Sequence, residues 1–548
     1  MNYKCKDVIY NVSTTIWVIG HFIDQISNAL YSFEQKTKLR NVPLADFFCD
    51  KVEVNYFLWK VIQMFRIIRF YSLFFLNFSL WLALVFLLYA EPVKAQNAPG
   101  FGEDVNEDVN IDFFNPGIVP VFPDNQLPLV NIDPVVFYLD KKFATDYESY
   151  LDIPKGERIN LEKAREILVK IEKAAGVKPG IIYASFIPVE LDVSSSKKEQ
   201  IIKRNQFELV LITAKGKPIR KTIHTASQQE IYDVAKEFYK AVEKPGDNSY
   251  EAPAQKLYQW MVKPLEDKLK EREINNLLFI TDEKLRSIPL AALHDGKQFL
   301  VEKYSIGFTP SLSLTKTEYK DVKKSHILAM GASEFENNRP LPAVKKEISA
   351  ISQIWNTESY LNEDFTLTKL KSSKKQFGII HLATHGNFGK SPEDSFIEFK
   401  NKKLNLNQFG DLKFNEPTVE LLVLSACQTS SGNREAELGF GGLAVKTGAK
   451  TALASLWNVD DYATFGLMSE FYHQLKEAPI KSEALQKAQI AMLKGEIWQE
   501  NGKLYTARNR NVISMEVVQP KSQPLSPKLP KFTHPYYWAA FTMIGNPW

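Results

Sequence analysis

Two stretches decide how this chain folds: FGIIHLATHG (377–386) and VELLVLSACQ (419–428). Each is a continuous apolar run that closes on a polar pair, His385-Gly386 in the first and Cys427-Gln428 in the second. Apolar runs that do not alternate are buried on both faces, which marks strands of a parallel sheet covered by helices. Three further runs read the same way: LLFIT (277–281), HILAMGA (326–332) and TALASLW (451–457). Helical patterns separate them over 257–270, 343–355, 438–447 and 462–475. The alternation predicts an α/β unit over 251–548, an open, mostly parallel sheet covered by helices. In such sheets, sites gather outside the C-terminal ends of the strands.

Upstream, residues 134–250 read as a small α/β segment. Asn160 is placed to cap a helix carrying Leu161, Ile167, Leu168 and Ile171. Two β-rich runs follow, IIYASFIPVEL (181–191) and FELVLITA (207–214), and Lys215-Gly216-Lys217 turns the second toward IRKTIHT. This predicts an antiparallel ribbon. Ser227 and Glu230 form a capping-box pattern before Ile231, Val234, Ala235 and Phe238. Residues 96–133, rich in Asn, Asp, Gly and Pro, show no sustained period and read as a linker.

The N-terminal region carries an uncharged apolar run over 70–90, FYSLFFLNFSLWLALVFLLYA, preceded by Lys60, Arg66 and Arg69. Val93-Lys94-Ala95 after it offers small residues at the two positions a signal peptidase reads. Residues 64–95 therefore read as an export signal or as a membrane anchor, since the run is also long enough to span a bilayer. Both readings place the residues after Gln96 outside the cytoplasm, in a periplasmic or membrane-anchored location. Residues 1–63 form an extension in front of the signal, and Met64 stands where an ordinary signal would begin.

Composition is that of a globular protein, 45% apolar, 24% charged and 12% aromatic. A net charge of +4 is too mild to argue for a nucleic-acid partner. Of the three cysteines, Cys5 and Cys49 precede the export signal, so a mature chain keeps Cys427 alone. A lone cysteine is either a buried, inert side chain or a free thiol with a chemical role, and its neighbourhood has to decide.

Three consecutive strand ends place His385, Cys427 and the Trp457–Asp460 stretch on one edge. A cysteine becomes a strong nucleophile beside a base, and histidine is the usual base. Gly386, without a Cβ, lets its N–H approach a carbonyl oxygen closely, and the Cys427 N–H is a second candidate oxyanion donor. Asp460 and Trp457 are candidates for substrate contact, Asp460 by pairing with a basic side chain. The competing reading is that Asp460 or Asp461 caps the helix that follows. Glu435 and Glu437 could also face substrate, while His534 reads as structural. His381 and His385 would share a face on a helix, but along a strand they are ~13 Å apart and cannot share an ion. The glycines of GFGG (439–442) follow a polar loop and not a strand, so they read as close packing and not as a nucleotide site.

The blocks HLATHGNF (381–388), LLVLSACQTSSG (421–432), GFGGLAVKTGAKTALASLWNVDD (439–461) and HPYYWAAFTMIG (534–545), with DEKLRSIPLAALHDGKQFLVEKYSIGFTPS (282–311) before them, resemble the CHAT family of caspase-like domains. The resemblance implies a fold shared with caspases, separase, gingipains and clostripain. It also implies a cysteine endopeptidase acting on protein or peptide substrates, with His385 as base and Cys427 as nucleophile. Gly386 and the Cys427 backbone match the oxyanion donors, and neither metal nor other cofactor is implied. Many relatives carry tetratricopeptide repeats, which this chain lacks, and the export signal leaves substrate and activator open. A silent caspase-like scaffold in an envelope assembly is the alternative expectation. A thiol-redox protein is a weaker one, for want of a second cysteine.

Overall fold

The computed structural model describes residues 133–195, 198–335, 338–429, 433–500, 503–506 and 532–548. All of them fall within one compact unit, Phe114–Trp548. The extension over 1–63, the signal or anchor over 64–95 and the linker up to residue 132 lie outside the described residues. Among the described residues no helix is long and apolar enough to cross a membrane.

In chain order the first strands are β1 (Pro179–Ser195), β2 (Lys198–Thr213), β3 (Ile219–Ile223), β4 (Asn276–Thr281) and β5 (Ser305–Phe308). There follow β6 (Ile327–Gly331), β7 (Thr357–Leu361), β8 (Ile379–Phe388), β9 (Phe396–Phe399) and β10 (Lys402–Asn405). Then come β11 (Leu421–Thr429), β12 (Thr451–Ser455), the small pair β13 (Ile497–Glu500) and β14 (Lys503–Thr506), and β15 (Phe541–Gly545). All but β13 and β14 join one 13-stranded sheet.

The helices used below are α1 (Asp133–Leu151), α2 (Leu161–Ala175), α3 (Gln228–Val242), α4 (Val344–Ile354), α5 (Arg434–Gly441), α6 (Asp461–Leu475) and α7 (Lys481–Leu493).

The sheet follows from the apolar runs. β4, β6 and β12 are buried at every position, as strands covered on both faces must be. β7, β6, β8, β11 and β12 lie side by side in parallel. β15 then enters antiparallel to β12 and continues in parallel through β5 and β4 to β1.

Two features of β8 position the site. First, β6 accompanies it only over Ile379–Ala383, after which β9 pairs antiparallel with Gly386 and Asn387. His385 therefore stands where one neighbouring strand gives way to another. Second, the register against β11 shifts between Leu424 and Ala426. The pairs before the shift run from Leu421–Ile379 to Leu424–Leu382, an offset of 42 residues. Continued, that offset would set Cys427 beside His385. The pairs after it, Ala426–His385 and Cys427–Gly386, have an offset of 41. One extra residue in β8, a bulge, thus puts Gly386 next to Cys427.

The segment before residue 251 is part of the same sheet. β1 and β2 form the expected antiparallel ribbon, and β1 also pairs in parallel with β4, which makes the ribbon one flank of the main sheet. The expected caps form: the Asn160 side chain accepts from Lys163 N (2.9 Å) at α2, and Ser227 Oγ from Glu230 N (3.2 Å) at α3. Gly216 takes a positive φ of 82° in the turn before β3, a conformation that glycine adopts without strain. The linker expected up to residue 133 ends one residue earlier, because Asp133 already begins α1. The buried face of α1 carries Asp140, which is fully buried and accepts from Ile159 N, Leu312 N and Ser313 N.

α1 packs on α5 through the glycines of GFGG. A Cβ at Gly441 would stand 2.5 Å from Tyr147 Oη and 2.9 Å from Phe308 Cε1, and one at Gly442 would stand 2.5 Å from Leu151 Cδ1. The close-packing reading of these glycines is therefore the one the fold adopts. Helix propensity alone would have Gly441→Ala stabilise α5 by roughly 1 kcal/mol. Overpacking reverses the sign, and we expect a net loss of about 1–3 kcal/mol, read as a lower denaturant midpoint. The buried Tyr147 hydroxyl has no hydrogen-bond partner among the described residues. Adding Tyr147→Phe should therefore restore part of the loss; a double variant no more stable than Gly441→Ala would contradict this account.

Candidate active site

His385 is 6% exposed. Its Nε2 lies 2.8 Å from the Arg339 carbonyl oxygen, which can only accept, so Nε2 carries the proton. The neutral ring then has Nδ1 as its unprotonated nitrogen, the atom able to take a proton. The Phe335 ring meets the imidazole edge-on, with centroids 4.7 Å apart. Burial is the main cause that lowers the His385 pKa from its usual 6.5; the Arg339 carbonyl and Glu398 oppose it, while the Arg339 and Lys403 charges add to it. His385 is accordingly neutral at pH 7.

The backbone of Cys427 lies in β11 beside Gly386, one residue past the neighbour of His385. Adjacent strands run ~5 Å apart, so the Gly386 and Cys427 main chains are immediate neighbours. Beyond Cys427, the Thr429 N–H donates to Leu456 O at the end of β12 (2.9 Å). The Tyr239 hydroxyl, from α3, donates to the same Leu456 oxygen (2.8 Å) and lies 3.3 Å from Thr429 O. A side chain from the N-terminal segment thus ties together the strand ends that flank the site.

The other sequence candidates take structural positions around this edge. Trp457 is 1% exposed; its indole N–H donates to Tyr536 O (3.0 Å) and its ring meets Tyr239 edge-on. It is packed into the strand end. Asp460 caps α6, its Oδ1 accepting from Tyr462 N (3.0 Å) and Ala463 N (2.9 Å), and it remains partly exposed. The capping reading therefore holds for Asp460, and nothing in that geometry removes its charge. Glu437 is buried and accepts from Lys284 N (2.7 Å) and Ser287 Oγ (2.9 Å), which fixes the loop after β4 and turns it away from solvent. Glu435 sits in the first turn of α5. His534 caps the short helix Pro535–Trp538 and bonds Asp247 O, as a structural residue would. His381 is fully buried, with Nδ1 3.1 Å from Tyr472 Oη and Nε2 2.8 Å from Glu347 Oε1, the latter out of line for a hydrogen bond.

Four residues that sequence reasoning missed matter here: Phe335, Arg339, Tyr239 and Asp461. Arg339 acts through its carbonyl and Tyr239 across 217 residues of chain, so neither leaves a local signal. Asp461, read only as an alternative cap for α6, instead accepts from Ala343 N (2.6 Å).

Residues 251–546 match the model of the CHAT domain. No curated protein matches the chain. Among solved structures, the separase–securin complex of Saccharomyces cerevisiae is similar at 10% identity and a TM-score of 0.37, over 71% of this chain and 32% of that one. The chain thus spans about a third of the separase chain it matches. The complex of the pro- and mature domains of Porphyromonas gingivalis RgpB is similar at 10% identity and a TM-score of 0.32, over 58% of this chain and 76% of that one. The domain match covers more than half of the sequence and rests on residues 251–546, which hold β4 through β15 and the strand ends just described, so the chain belongs to the CHAT domain family.

Proposed function

We propose that the protein is a cysteine endopeptidase with a His385–Cys427 dyad. The observation that carries the reading is the shifted register that sets Gly386 beside Cys427, with a neutral His385 one residue back. His385 Nδ1 takes the thiol proton of Cys427. The thiolate attacks the scissile carbonyl carbon, and the N–H groups of Gly386 and Cys427 hold the oxyanion. His385 then returns the proton to the departing amine, leaving a thioester. Water, deprotonated by the same nitrogen, hydrolyses the thioester and restores the thiol. Asp460 favours a basic residue on the acyl side of the cut, and Trp457, buried at the strand end, supports that wall. The chain is exported through residues 64–95, and the acting form begins after Ala95 or stays tethered by residues 70–90.

Treatment of the protein with peptidyl electrophiles bearing Arg, Lys or Asp at the reactive end should give one adduct, at Cys427. His385→Ala should slow labelling by about 10²–10⁴. With the His385 pKa below its usual 6.5, the rate should rise with pH through a midpoint under that value and level off by neutrality, because the neutral imidazole is the active form. Asp460→Asn keeps a good helix cap and removes the charge, so it should lower the preference for Arg over Asp without unfolding the chain. Labelling undiminished in His385→Ala would contradict the dyad, and no adduct under any condition would favour the scaffold. Arg preference unchanged in Asp460→Asn would remove that residue from the pocket. N-terminal sequencing of protein recovered from outside the cytoplasm should read Gln96 first if the signal is cleaved; protein found only inside would contradict export.

A further inference from the structure

The segment Arg339-Pro340-Leu341-Pro342-Ala343 leads from the loop after β6 into α4. Its two prolines have no N–H, so beyond Arg339 only Leu341 and Ala343 can donate from the backbone. Leu341 N–H donates to Ser333 O (2.9 Å), and Ala343 N–H donates to Asp461 Oδ2 (2.6 Å). From the same segment the Arg339 carbonyl accepts the Nε2–H of His385 (2.8 Å). Ala343 is also the N-cap of α4 and has no capping side chain of its own. Asp461, at the start of α6, therefore supplies that helix N-terminus with an acceptor oxygen from a different element.

We propose that Asp461 is a positioning residue. By holding Ala343 it fixes the Arg339 carbonyl, which in turn keeps His385 in the tautomer that leaves Nδ1 free to take a proton. The catalytic part of this inference rests on the peptidase reading above; the strap itself does not. The stiffness of the two prolines makes a strap at Ala343 effective at Arg339, since their φ angles are fixed.

The strap also responds to pH. Asp461 is faced by Glu347 of α4, by its neighbours Asp460 and Tyr462, and by Arg339 of the segment it holds. Its pKa is pushed up to about 7, chiefly by burial, with the Ala343 N–H opposing, Glu347 and Asp460 adding to the rise, and Arg339 opposing. A carboxyl released to water would keep its usual value near 3.8, so between the two values the held Asp461 binds a proton that a released one would not, and protonation favours the held geometry. The strap is therefore tight on the acid side of about 7 and looser as pH rises through it.

The test reads the ring nitrogens of His385 by nitrogen-15 NMR in the full chain, with labelling of Cys427 by a peptidyl electrophile measured in parallel. Wild type at pH 6.5 should show the Nε2–H tautomer, and at pH 8 a larger share of the Nδ1–H tautomer. Asp461→Ala should let the Nδ1–H tautomer appear and slow labelling at least about tenfold. Asp461→Asn keeps an acceptor oxygen; it should hold the Nε2–H tautomer and abolish the shift that wild type shows between pH 8 and pH 6.5. An Nε2–H signal unchanged in Asp461→Ala overturns the proposal. If that variant does not fold, Asp461→Asn decides, and a pH response equal to that of wild type overturns it. A tautomer that follows Asp461 while Cys427 labels in no variant upholds the strap and sinks the peptidase reading instead.

Discussion

The register between β8 and β11 is the constraint on which the rest of the site depends. Over their first four pairs the two strands keep an offset that would bring His385 level with Cys427. One extra residue in β8 cancels that alignment and sets the glycine there instead. A glycine is the residue whose N–H can be approached most closely, and a neighbouring strand end supplies the second N–H. The bulge falls where β6 ends and β9 begins, so β8 is free of its first neighbour at the point where it must bend. The cost of a broken ladder is offset by β9, which pairs with Gly386 and Asn387 and keeps this part of β8 in the sheet.

The edge is completed by groups that come from elsewhere in the chain. Arg339 holds the imidazole through its carbonyl, Asp461 holds the segment that carries Arg339, and Tyr239 ties β11 to β12 from a helix that precedes the matched domain. α1 rests on α5 through Gly441 and Gly442, directly after the stretch that carries Cys427. With β1 paired to β4, these contacts make residues 133–250 a structural part of the CHAT unit. The boundary seen in the sequence near residue 251 is a change of pattern, alternating to continuous, and the sheet runs straight across it.

Much of this was legible in the sequence, for reasons that also mark the limits. β4, β6, β8, β11 and β12 announce themselves because strands buried on both faces need no polar alternation. The same uniformity hides the register: with apolar residues on both faces, a one-residue slip leaves no mismatch to read. The caps at Asn160 and Ser227 were visible because the bond runs only three residues. At the site, His385 and Cys427 were marked because the apolar runs close on them, although β8 and β11 run on to Phe388 and Thr429. Trp457 and Asp460 stood at an equally suggestive place, yet the indole took a carbonyl partner and the carboxylate took a helix N-terminus. Backbone carbonyls such as that of Arg339 carry no sequence signal at all.

The most direct test of the account is a crystal structure of the protein carrying a peptidyl electrophile. The account predicts a covalent bond to Cys427, with the inhibitor oxygen within hydrogen-bond distance of the Gly386 and Cys427 nitrogens and His385 Nε2 still on the Arg339 carbonyl. An inhibitor oxygen pointing away from Gly386, or a His385 ring turned so that Nε2 and not Nδ1 faces the thioether, would contradict it.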